Sequence, residues 1–259
     1  MNREQRKLVA AFVIQRAEMG EREWYFNPVP FLTPGPGMRE PAVYDDPPSA
    51  FLAPGDAHGC GVICPGPAAA GVGEDTLEEL RETVGGCHRC PLGATRRNFV
   101  FGSGNPRADV MFVGEAPGAD EDEQGLPFVG RAGQLLTKMI ESIKLRREDV
   151  YITNVLKCRP PGNRDPIHAE IEKCEPILIR QIEIIRPKII CALGRISGKT
   201  LLHNEASLGA LRGKVHDCHG VKLVVTYHPA ALLRNPHWKR PTWEDLKFLR
   251  REYDGVEVR

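Results

Sequence analysis

Apolar residues in this chain gather in short runs separated by polar stretches with helical spacing. Val110-Met111-Phe112-Val113 is the first clean run, and it leads straight into Gly114 and an acidic, glycine-rich segment. Val150-Tyr151-Ile152-Thr153-Asn154-Val155, Lys188-Ile189-Ile190-Cys191-Ala192-Leu193 and Leu223-Val224-Val225-Thr226 repeat the pattern. Such short runs, rich in β-branched residues and closed by polar or turn residues, predict strands. Between and after them, AGQLLTKMIESI, residues His168–Ile185, residues Ile196–Leu202 and TWEDLKFLRREY place apolar residues on one helical face. Strands alternating with helices predict an α/β fold whose parallel sheet is covered on both faces. Ligands of such sheets sit beyond the carboxyl ends of the strands. Those ends read GEAPG, TNVLKCRPP, ALGR and TYHP. No internal repeat accompanies the alternation.

The pattern is absent from the first 75 residues. Ten of the 22 prolines lie between Pro28 and Pro67, with six glycines among them. A segment so dense in proline sustains neither helix nor sheet and reads as an extended or disordered linker. Before it, MNREQRKLVAAFVIQRAEMG is basic and apolar, but Arg16 and Glu18 interrupt it and no small-residue cleavage site follows. It reads as a short amphipathic helix rather than a signal peptide. DTLEELRETVGGC then gives a short helix with Leu77 and Leu80 on one face and a stop at Gly85-Gly86. The division expected is an extension over 1–75 and a folded domain over 76–259.

Charge follows the same division. Residues 1–84 carry 7 Lys/Arg and 13 Asp/Glu, a net of −6; residues 85–259 carry 28 and 21, a net of +7. A basic folded part is compatible with a polyanionic partner. No apolar run approaches the roughly 18 residues of a membrane span, so the expected location is the cytoplasm.

Eight cysteines are present, and in a cytoplasmic protein they are not expected to form disulfides. Cys87-His88-Arg89-Cys90 is a C-x-x-C pair, a common metal-ligand spacing. Cys158 and Cys174 flank a proline-rich turn and a helix start. Four thiolates from these two segments suit either a [4Fe–4S] cluster or a structural zinc. The alternative is a free pair and two core cysteines. Cys191 falls inside a strand and reads as core, while Cys60 and Cys64 lie in the linker.

At the strand ends, Asn154 offers a donor and an acceptor together, suited to reading a base edge or to capping a turn. His228 can donate to a developing anion or be an ordinary surface histidine. Leu232-Leu233-Arg234 beyond it read as a loop, either a small apolar cluster or a wedge for a base stack. Gly194-Arg195-Ile196-Ser197-Gly198-Lys199-Thr200 has three residues between its glycines where a Walker loop needs four, so no ATP site is read there.

GEAPGADEDEQGLPFVGRAGQLL, TNVLKCRPPGNRDP, HPAALLRNP and the cysteines 87, 90, 158 and 174 together resemble the family 4, iron–sulfur uracil-DNA glycosylases. The resemblance runs from Cys87 to Tyr253. It implies a four-stranded parallel sheet in a three-layer α/β/α sandwich. It also implies a structural [4Fe–4S] cluster on those four cysteines and removal of uracil from single- or double-stranded DNA. By resemblance, Gly114, Ala116 and Gly118 form the backbone wall of a base pocket, Phe128 stacks under the flipped base and Asn154 reads it. His228 would stabilise the leaving uracil, and Glu115 or Glu121 would serve the attacking water. Leu232 would fill the gap in the duplex and Arg234 would touch its backbone. Ala116 stands where the wider superfamily has a catalytic aspartate, and Glu115 stands where the related family 5 enzymes look apolar; both favour family 4. PPGNRDP replaces the insertion of a sister group that traps uracil-DNA covalently, so ordinary turnover is expected. Asp120 and Glu123 read as a solvated acidic turn. The expected protein is a monomer, with a protein partner for the extension. The competing reading is a non-catalytic damage-binding iron–sulfur protein of the same fold.

Overall fold

The computed structural model describes residues 76–255. The expected N-terminal helix, the linker and Cys60 and Cys64 lie outside the described residues.

Six strands form one sheet: β1 (Ser103–Gly104), β2 (Val110–Gly114), β3 (Tyr151–Asn154), β4 (Ile189–Leu193), β5 (Val215–Cys218) and β6 (Val221–Thr226). Their order is β1-β3-β2-β4-β6-β5. The four expected strands are its centre and pair in parallel, β3 with β2, β2 with β4 and β4 with β6. Every residue of β2, β3 and β4 is buried, as a sheet covered on both faces requires. The edges are antiparallel additions the pattern did not announce. β1 is two residues long. β5 carries His216 and Asp217, which interrupt its apolar pattern, and it joins β6 through His219-Gly220, both at positive φ (53° and 78°). That is the backbone of a tight hairpin turn.

The helices are α1 (Leu77–Gly85), α2 (Leu92–Thr95), α3 (Ala119–Gln124), α4 (Arg131–Ser142), α5 (His168–Ile185), α6 (Arg195–Leu202), α7 (Leu208–Leu211), α8 (Pro229–Arg234) and α9 (Lys239–Asp254). α1 begins with a capping box: the Thr76 hydroxyl accepts from the Glu79 amide at 3.2 Å, and the Glu79 carboxylate accepts from the Thr76 amide at 2.7 Å. α3 and α8 replace stretches read as loops. Each is only six residues, too short to show a helical period. Among the described residues no helix is long and apolar enough to cross a membrane.

Chain order reverses around β2, with β3 on one side and β4 and β6 on the other. The carboxyl ends of β2, β3 and β6 therefore open onto one crevice at the switch point.

Candidate active site

The crevice holds a cavity of about 350 Å³, within the usual size range of small-molecule sites. Glu115, Phe128, Asn154, Asp165, His228 and Arg234 are among its lining residues. Ala116, Gly118 and Glu121 line it too. Gly114 sits behind, at the last register pair of β2 with Asn154. A Cβ on Gly114 would run into the Asn154 side-chain oxygen and come within 2.5 Å of the Phe128 ring. Only glycine lets these two side chains meet there.

Phe128 is 5 % exposed and holds φ +53°, a costly conformation for a non-glycine residue. Its turn is clamped from both sides. Glu121 accepts from the amides of Val129 (2.9 Å) and Gly130 (3.0 Å) with one oxygen and from the Gly118 amide (3.1 Å) with the other. Arg147 donates to the Pro127 carbonyl at 2.8 Å and to the Thr137 hydroxyl at 3.1 Å. Glu121, expected to serve the attacking water, thus accepts from three backbone amides. Asp122, unnoticed in the sequence, is 3 % exposed and accepts from the amides of Arg97 (2.9 Å) and Asn98 (3.3 Å).

Asn154 is 1 % exposed, and its Oδ1 is a buried acceptor with no partner. Below it the fully buried Lys157 donates from Nζ to the Asn154 carbonyl (2.7 Å), Thr153 Oγ1 (2.6 Å) and Gln181 Oε1 (2.6 Å). The only sequence signal for Lys157 was a lysine set inside the apolar run Val155-Leu156 and Cys158.

His228 caps α8: its Nδ1 accepts from the Ala230 amide at 3.1 Å, which leaves the proton on Nε2. Its ring lies 5.6 Å from that of Phe128, tilted by 33°. Burial, and then the charge of Arg234, push its pKa down to about 4. The imidazole is therefore neutral around pH 7. Glu115 moves the other way. Burial first and Asp165 second raise its pKa to about 7, against the pull of Arg195 and Arg234.

The turn into α8 separates the two leucines expected near the base stack. Leu232 is 0 % exposed, part of the core, while Leu233 is 46 % exposed. Neighbouring residues on a helix point about 100° apart, so one leucine packs inward as the next faces out.

The four cysteines come from the α1–α2 connection (Cys87, Cys90), the exit of β3 (Cys158) and α5 (Cys174). Cys158 and Cys174 are buried, and Cys87 and Cys90 pack against the same cluster. Burial raises Cys174 to about 11, with Cys158 and Cys90 adding to it; Cys158 is raised by burial and then by Cys90 and Cys87. Arg96 donates to Cys158 Sγ at 3.3 Å, and the Lys157 amide to Cys174 Sγ at 3.3 Å. Among the described residues no three His, Cys, Asp or Glu side chains converge as a single bound ion needs. Cys191 lies in the core, as expected.

A family model described as the uracil DNA glycosylase superfamily matches residues 101–247. The type-4 uracil-DNA glycosylase of Archaeoglobus fulgidus is 46 % identical over 183 residues, 68 % of this chain and 92 % of that protein. Those of Sulfurisphaera tokodaii and Thermotoga maritima are 50 % and 44 % identical, covering 68 % and 69 % of this chain and 84 % and 97 % of theirs. The aligned span takes in every strand and every wall of the crevice, and the chain belongs to the uracil-DNA glycosylase superfamily, among its type-4 members.

Proposed function

We propose that this protein flips uracil out of DNA and hydrolyses the bond between the base and its deoxyribose, leaving an abasic site. The observation that carries the reading is the unpartnered Asn154 Oδ1, a buried acceptor in a residue lining the same cavity as His228. Uracil supplies what each lacks. Its N3–H donates to Oδ1, its O4 accepts from the Asn154 amide, and its O2 accepts from His228. Cytosine has no proton on N3 and an amino group in place of O4, so it leaves the same atoms unpaired. Phe128 supports the base face, and the Gly114–Gly118 backbone, with Ala116, closes around it.

As the glycosidic bond breaks, its electron pair leaves with N1 and the charge spreads to O2, where neutral His228 donates. The sugar becomes cationic at C1′. Water adds there and gives a proton to the Glu115 carboxylate, which also favours the cation. Glu121 and Arg147 hold the Phe128 turn. Leu233, rather than Leu232, occupies the space the base vacates, and Arg234 reaches the backbone.

The test is single-turnover strand cleavage, after alkali, of an oligonucleotide with one uracil. Wild type cuts it and spares cytosine and thymine; His228→Ala cuts about 10²–10³-fold more slowly. Uracil-DNA bound but uncut by wild type overturns the reading in favour of a damage sensor. On duplex substrate Leu233→Ala loses about tenfold, with its melting temperature unchanged. Leu232→Ala instead costs roughly 2–4 kcal/mol of stability; the reverse pattern would restore Leu232 as the wedge.

Cys87, Cys90, Cys158 and Cys174 fit a [4Fe–4S] cluster. Cys158 and Cys174, raised by burial and then by neighbouring cysteines, need a strongly cationic centre to ionise. Arg96 and the Lys157 amide donate to Cys158 and Cys174, contacts of the kind that tune cluster sulfurs. When bound, the cluster supplies cross-linking of the α1–α2 segment to the exit of β3, not chemistry at the base. Anaerobically purified protein is expected to contain iron and acid-labile sulfide in equal amounts with a broad visible band. Zinc without sulfide would refute it. Stripping the metal should lower the melting temperature by several degrees.

The working protein is a cytoplasmic monomer on single- or double-stranded DNA, and residues 1–75, being acidic, serve a protein partner rather than DNA. Unchanged interactions after deletion of 1–75 would dispose of that arm.

A further inference from the structure

A second aromatic feature adjoins the crevice. Trp238 is 37 % exposed, in the single turn Pro236–Trp238 that follows α8. One face of its indole stacks on Tyr227, with ring centroids 5.0 Å apart and planes 11° from parallel. Tyr227 is itself backed by the Arg212 guanidinium, 4.2 Å above its ring. Arg212 is anchored in turn by Asp245 at 2.7 Å and the Pro241 carbonyl at 2.9 Å. The result is a graded stack, cation on phenol on indole, whose last member opens to solvent.

The stack is held rigid from below. The Trp238 amide donates to the Asn235 carbonyl at 3.2 Å, and the Trp238 carbonyl accepts from Thr242 Oγ1 at 2.7 Å. Tyr227 is bonded directly to His228, and Trp238 is four residues beyond Arg234, so the stack is carried by the same chain segment that lines the base cavity. The surroundings are cationic. Arg240 is exposed and Lys239 is half-buried. Nearby carboxylates are engaged elsewhere, Glu244 with Lys247 at 2.8 Å and Asp245 with Arg212.

An exposed, preorganised indole followed in the chain by Lys239 and Arg240 matches a nucleobase carried on a phosphate backbone. Within a duplex, base faces are already stacked on one another. An unpaired base is free to stack.

We propose that Trp238 is a stacking platform for an unpaired nucleobase near the uracil, giving the protein a dedicated hold on single-stranded DNA. The proposal builds on the uracil-excision reading of the same face, and its test separates the two.

In a Trp24→Phe/Trp243→Phe background, Trp238 is the one remaining tryptophan. A short oligothymidylate, which contains no uracil, should quench its fluorescence. With the wild-type background at the other positions, Trp238→Ala should weaken oligothymidylate binding and raise KM on a single-stranded uracil substrate by about five- to tenfold. KM on the paired duplex should rise less than about twofold, and Trp238→Phe should recover most of the loss. Absent quenching overturns the platform, as do equal losses on both substrates, which mark a general phosphate contact or a folding defect. Quenching only by a proline-rich or apolar peptide overturns it in favour of a protein partner. Should Trp238→Ala not fold, the quenching experiment still decides. Quenching without uracil release would retain the platform and reject the glycosylase; release without quenching would do the opposite.

Discussion

Uracil release by Asn154→Ala is expected to be about 10³-fold slower than by wild type in a single turnover, while the protein melts no lower. The rate follows from what the alanine removes. Asn154 meets the base edge with an acceptor and a donor, and both contacts are formed away from water. Losing them leaves uracil N3–H and O4 unpaired inside the cavity, at roughly 1–3 kcal/mol for each buried group. Together this is about 4 kcal/mol, and each 1.4 kcal/mol is about tenfold. The unchanged melting temperature follows from the orphaned Oδ1. In the free protein that oxygen is buried without compensation, so deleting it costs the fold nothing and can stabilise it. Lys157 continues to hold the backbone of residue 154 through its carbonyl, so the loop does not collapse. A rate within tenfold of wild type, or a large fall in melting temperature with the rate loss, would assign Asn154 to turn capping instead. The measurement is rapid-quench kinetics on a labelled oligonucleotide beside thermal melting of the same preparations.

The parts of this site that were legible in the sequence are those fixed by local pattern. Four apolar runs located the central strands because parallel strands buried on both faces are apolar throughout. The polar residues that end them, Asn154 and His228, stood out against those runs. What escaped depends on pairings across the fold. Lys157 and Gln181 come together from β3's exit and α5, 24 residues apart in sequence, and nothing local pairs the two. Glu121 looked like a free acid in an acidic stretch. Its three amide partners lie at Gly118 and, across the turn, at Val129 and Gly130. Choosing between Leu232 and Leu233 needed the rotation of α8, and a six-residue helix carries too little period to fix it. Resemblance pointed to Leu232, whereas the rotation of α8 turns Leu233 outward.

Glu115→Gln should remove most activity and, above neutrality, make the protein more stable. The two effects share one cause. Burial and the Asp165 charge hold the Glu115 pKa at about 7 in the folded protein, against about 4.5 for an unfolded glutamate. Below pH 4.5 the group is protonated in both states and contributes nothing. Between 4.5 and 7 the unfolded chain gives up the proton while the folded one retains it, so stability falls as pH rises; above 7 the penalty is complete. Allowing for water in the open cavity, that penalty is on the order of 1–2 kcal/mol. Glutamine carries no such charge, so the variant should melt a few degrees above wild type at about pH 8 and coincide with it near pH 4.5. Catalysis has the opposite demand, because only the carboxylate accepts a proton from water. Wild-type kcat should rise about tenfold per pH unit up to about 7 and then level off. His228, with its pKa near 4, adds no inflection in that range. In Glu115→Gln the rise should vanish, leaving a flat profile about 10²–10³-fold below the wild-type plateau. An acid limb that survives the substitution would place the essential base elsewhere, with Asp165, across the same cavity, as the carboxylate to replace next. A site that stores an unfavourable charge where the water must be activated is less stable for having it, and the gap between the two melting profiles above pH 7 measures that cost directly.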